Sequence, residues 1–110
     1  MTRTVDLLDT AIGQVKNAHD HLRHDTELLP SDLSGVIGTL RELAWIIDTF
    51  ASTVVDAYGR QRCLGHDDSH DPTAAVAQIV DRLERCRRLL DGIEAELGKA
   101  HNTAAKLHQN

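Results

Sequence analysis

The sequence predicts an all-α protein: an up-down-up bundle of three long antiparallel helices with coiled-coil-like packing. Three observations carry that expectation. Apolar residues recur alternately three and four positions apart through three long segments, which marks one face of a helix rather than the alternation of a strand. The prolines are Pro30 and Pro72, and both fall between those segments, where a fixed φ and a missing N–H stop or start a helix. Ala, Leu, Asp and Arg dominate and β-branched clusters are few, a composition that leans to helix.

The first helix is expected at about residues 4–28. Its seam is Val5, Leu8, Ile12, Val15, His19, Leu22, Thr26 and Leu29, a heptad pattern. Asp6 and Asp9 lie in its first turns, where the helix dipole favours negative charge. The stretch LLPSDLS interrupts it. Pro30 disfavours a helical Leu29, and Ser31 is a good N-cap.

A second helix follows at about 32–62. Leu33, Val36, Ile37, Leu40, Leu43, Ala44, Ile47, Phe50, Ala51, Val54 and Tyr58 fall within one half of its circumference at about 100° per residue. That stripe is wider than the first helix's, so this helix is expected to touch two neighbours and form the centre, with Leu40 and Ile47 as core positions. CLGHDDSHDP, residues 63–72, is the second break, and Asp71–Pro72 reads as N-cap and first helical residue. The third helix is expected at about 72–107. Val76, Ile79, Leu83, Cys86, Leu90, Ile93, Leu97, Ala100, Ala104 and Leu107 line one side. Gly92 and Gly98 each weaken it by about 1 kcal/mol relative to Ala, with bending or fraying expected near Gly98.

The 110 residues suit a single helical domain spanning 1–110. Hydrophobic residues at 41% and charged residues at 26% exclude disorder. A net charge of −5 argues against a general nucleic-acid or anionic-membrane binder. No apolar run approaches the roughly 18 residues of a membrane span. MTRTVDLLDT carries no signal-peptide hydrophobic block, so the cytoplasm is the expected compartment.

At about 1.5 Å per residue the helices span about 37, 47 and 54 Å. Aligned at the Pro30 turn, the first stops short and leaves Tyr58, Leu64 and Val76 without a third helix. Either the 63–71 loop or a second copy is then needed to cover them.

Candidate chemistry is sparse. Cys63, His66 and His70 are zinc-capable and locally well spaced, with Asp67, Asp68 and Asp71 beside them. They form the alternative reading, a small metal-binding or metal-sensing domain using this loop, but a structural zinc normally takes four ligands. No stoichiometric metal or other cofactor is therefore expected. His19, His21 and His24 point in three directions on a helical wheel and do not converge on one ion. His19 falls in the seam, where a polar residue fixes register. Cys63 and Cys86 are too far apart in an antiparallel hairpin for a disulfide, and Cys86 reads as a small core residue. Arg82, Arg85, Arg87 and Arg88 are spread around the third helix among Asp81, Glu84 and Asp91, a pattern of surface ion pairing. No nucleophile motif, phosphate loop or paired-carboxylate site is present, which points away from an enzyme.

Trp45 is the sole tryptophan, and it lies nearly opposite the apolar stripe of the second helix. Gly38, Arg41, Asp48, Thr49 and Ser52 surround it, and the small residues at 38 and 52 leave room for an approaching chain. Tryptophan is enriched where a contact is half wet. Trp45, Arg41, Asp48, Ser52 and Tyr58 are therefore the candidate partner-binding residues. Length and a mid-chain tryptophan resemble the two-helix Trp-x-Gly secretion substrates, but here the tripeptide is Trp45–Ile46–Ile47 and a third long helix follows, so the defining motif is missing. In composition the chain resembles small helical proteins of actinobacteria and their phages or mobile elements. The expectation is a non-enzymatic protein-interaction module that forms a homodimer, with another protein as a further partner and neither nucleic acid nor membrane among them.

Overall fold

Each of the three predicted segments forms one uninterrupted helix, and the caps explain where each begins and ends. A computed structural model describes residues 2–61 and 71–107. Helix α1 spans Arg3–His24, α2 Pro30–Arg60 and α3 Pro72–Ala104. At the start of α1 the Thr2 hydroxyl accepts the Val5 N–H at 3.3 Å, satisfying one of the orphan donors of a first turn. The helix ends at His24, four residues before the expected 28. The Asp25 carboxylate accepts the Glu27 N–H at 2.9 Å, a local turn that competes with helix continuation. Thr26 and Leu29 consequently lie outside α1.

The N-cap of α2 is Leu29, not Ser31 as the spacing suggests, and Pro30 takes the first helical position. Proline fits there because its absent N–H would be unpaired anyway. Asp32 Oδ2 reaches back to accept the Leu29 N–H at 3.0 Å, half of a capping box. At α3 the expectation holds: the Asp71 side chain accepts the Thr73 N–H at 2.9 Å, and Pro72 follows as the first helical residue.

α2 and α3 pack along one another, and the direction follows from three contacts. Asp48 meets Arg87, while Arg41 lies over Gly98 and His101 over Gly38. Positions fall along α2 as they rise along α3, so the pair is antiparallel. In phase with these contacts on α2 are Ile37, Arg41, Ala44, Asp48, Ala51, Val55 and Tyr58, alternately four and three apart. The facing set on α3 is Val76, Val80, Leu83, Arg87, Leu90, Glu94, Leu97, His101 and Ala104. All are buried or half-buried except Arg41, whose guanidinium covers buried Gly98. Only Ala44 (6% exposed) and Ala51 (9%) are buried apolar residues among those described. Gly98 does not end α3, which runs on to Ala104. Its missing side chain makes the space that Arg41 occupies.

The chain thus has the expected all-α, three-helix architecture, with the packing among its helices confined to α2 and α3. α1 comes near neither of them and contains no buried residue. The molecule is 65 Å long, against about 50 Å for α3 alone, so α1 extends past the pair. No helix among the described residues is long and apolar enough to cross a membrane.

Candidate interaction surface

The surface begins with a second heptad stripe on α2. Leu33, Val36, Leu40, Leu43, Ile47, Phe50 and Val54 are three and four residues apart. They lie roughly 80° around the helix from the residues that meet α3, taking about 100° per residue. Among them Leu33, Leu40, Ile47, Phe50 and Val54 are exposed, Leu40 at 45% and Ile47 at 55%. This corrects the expectation that Leu40 and Ile47 are core positions of the single chain. The physical reason is that α3 approaches α2 over Ala44 and Ala51, where small side chains permit close contact, and the bulkier stripe is left to one side.

α3 carries a matching stripe of Ile79, Cys86, Ile93 and Ala100, also roughly 80° from its own contact face. Because the helices are antiparallel and the offset has the same sense on both, the two stripes open on the same side of the pair. Together they form a groove floored by half-buried Leu43, Leu83, Leu90 and Leu97. Cys86 is exposed, which corrects its reading as a core residue: it stands on the groove wall. The stripe residues named on both helices are uncharged, and exposed Arg82 lies in phase with Ala100 at the edge of the α3 stripe.

The seam between the helices holds the charged groups. Arg87 Nε donates to Asp48 Oδ1 at 2.8 Å, and its Nη1 donates to Glu84 Oε1 at 3.4 Å. The bond to Asp48, reinforced by the nearby Glu84 charge, raises the Arg87 pKa above its ordinary value despite partial desolvation, so the guanidinium remains charged. Carboxylate oxygens of Asp48, Asp91 and Glu94 lie within 4.8 Å of one another, with Arg87 bonded to the first of them. Arg87 thus ties Asp48 of α2 to Glu84 of its own helix, an interhelix ion pair with the Asp91 and Glu94 carboxylates beside it. Arg85–Asp81 and Lys99–Glu96 are solvated pairs on α3 and add little.

The sequence-predicted partner residues divide. Trp45 is 56% exposed, on the flank of α2 away from the groove, in a shallow recess with Gly38, Arg41, Glu42 and Glu94. Asp48, Ser52 and Tyr58 are half-buried along the side facing α3. The space expected beside Gly38 is taken by the chain's own His101, whose Nε2 would stand 3.1 Å from a Cβ at that position. His19, His21 and His24 are exposed, and His24 Nδ1 is 2.8 Å from the Asp20 carbonyl. The alternative ligands Cys63, His66 and His70, together with Leu64, lie outside the described residues. Tyr58 and Val76, expected to lack cover, are half-buried.

No family model matches the chain, and no curated protein or solved structure gives a significant match.

Proposed function

We propose that this protein is a non-enzymatic helical interaction module that associates with itself through the groove face of α2 and α3. The carrying observation is the row Leu33, Leu40, Ile47, Phe50 and Val54, exposed on one side of the most apolar helix in the chain. Scattered exposed leucines are normal, whereas a contiguous row flanked by a second apolar stripe marks an association site. A closed dimer is the commonest way to cover such a face. Each of these side chains is worth roughly 1.5–3 kcal/mol when fully buried, and their exposure in one chain leaves part of that gain unrealised.

Sedimentation of the intact chain tests the reading. A dimer at tens of micromolar that dissociates on Leu40→Asp with Ile47→Asp supports it, and a monomer throughout that range removes it. Trp45, exposed on the other flank, is proposed as the contact for a different protein. Trp45→Ala then leaves self-association unchanged.

A further inference from the structure

We infer that α1 is an exchange arm. Its seam of Val5, Leu8, Ile12, Val15 and Leu22 seats in the α2–α3 groove of a second copy, whose own arm seats in the groove of the first. The inference rests on the self-association reading above and names what fills the face.

The first support is that each chain holds two unpartnered apolar surfaces of the same period. The α1 seam repeats at three and four residues, and Val5, Leu8, Ile12 and Val15 are exposed. The groove stripe of α2 repeats identically from Leu33 to Val54. Seam and stripe run about 26 and 32 Å along their axes, so the arm fits within the groove. Most helical stability in a protein comes from packing of an amphipathic face rather than from propensity, and α1, with 22 residues and no buried residue, gains most from being covered.

The second support is the connector. Asp25 and Leu29 are both in extended conformation, and the Asp25–Glu27 and Asp32–Leu29 hydrogen bonds hold the chain between them. Pro30 fixes the next φ. This geometry leads α1 away from its own groove, where it meets neither α2 nor α3. A twofold axis at the connector brings the α2 N-terminus of a second copy to the place where the arm emerges. The arm then runs antiparallel to that copy's α2, with Leu22 near Leu33, Val15 near Leu40 and Leu8 near Ile47. His19 falls opposite Val36, the one polar step in an otherwise apolar register.

The third support is area. Two arms exchanged in this way cover ten apolar arm residues and both grooves, and the interface they form is to be compared with the roughly 1,200–2,000 Å² typical of stable interfaces. The reciprocal contact is also closed, as a twofold assembly requires.

The test uses the full chain with Cys63→Ser and Cys86→Ser. One preparation carries Val15→Cys and the other Leu40→Cys, and the two are unfolded together, refolded and oxidised. The expected product is a mixed disulfide dimer that returns to single chains on reduction. In parallel, Ile12→Asp should shift the wild-type dimer to monomer, while Asn17→Asp, the same charge on the opposite side of α1, should leave it dimeric. A chain carrying both Val15→Cys and Leu40→Cys that closes within itself at monomer mass would overturn the exchange, because the arm then folds onto its own groove. A dimer that survives Ile12→Asp and gives no mixed disulfide would overturn the arm's role while leaving self-association standing. A wild-type monomer at tens of micromolar would remove both.

Discussion

The two faces of α2 are built on opposite plans. The one toward α3 is narrow and partly charged: Ala44 and Ala51 let the helices approach, Gly98 admits Arg41, and Asp48 holds Arg87. The neighbouring face carries Leu33, Leu40, Ile47, Phe50 and Val54, all exposed in the single chain. The contrast separates two tasks that a single core usually combines. Small residues and the Asp48–Arg87 ion pair join the two helices but bury little apolar area. The large side chains hold most of the available hydrophobic gain, at roughly 25 cal/mol per Å², on the face a single chain leaves open.

The largest expected effect comes from charging the open face. Leu40→Asp with Ile47→Asp should weaken self-association by at least about a hundredfold, about 3 kcal/mol or more, as read by sedimentation. Unchanged association would mean that the open stripe is not the contact. Ala51→Leu, on the α3 face, should cost about 1–3 kcal/mol by overpacking in urea unfolding at fixed protein concentration. A neutral result would place the close approach of α2 and α3 elsewhere. Smaller still is a pair of glycine substitutions. A Cβ added at Gly92 would meet nothing within 4 Å, so Gly92→Ala should stabilise by about 0.5–1 kcal/mol through helix propensity. Gly38→Ala has the same intrinsic gain, but the His101 ring at 3.1 Å must shift, and its net effect in the same assay should fall below that of Gly92→Ala. Least of all, Trp45→Ala should change stability by under about 0.5 kcal/mol; a loss comparable to Ala51→Leu would make Trp45 a packing residue.

Much of this architecture was legible in the sequence. The three helices follow from the three-four spacing, and Asp71–Pro72 marks the start of α3 as expected. Trp45 lies on the exposed side that its helical phase predicts. The α3-facing side of α2 was harder to read because hydrophobicity ranks the stripe through Leu40 and Ile47 above the one through Ala44, Asp48 and Ala51. Close helix packing is governed by side-chain size as well as by apolar character, and Ala44 and Ala51 stand seven residues apart on the side where α3 approaches. Asp48 lies between them on the same face, and Arg87 occupies the corresponding face of α3. A search for opposite charges within paired heptads would have found them. The end of α1 was missed for a local reason: the Asp25 side chain captures the Glu27 N–H, an interaction that apolar periodicity does not register.

Whether a second copy completes the open face of α2 is decided most directly by the mass of the intact protein in solution across a dilution series. Twice the 12.1 kDa chain mass is expected at tens of micromolar, falling to one chain for Leu40→Asp with Ile47→Asp at the same concentration. A single-chain mass for the unaltered protein at every concentration would show that the open face of α2 is not covered by a second copy.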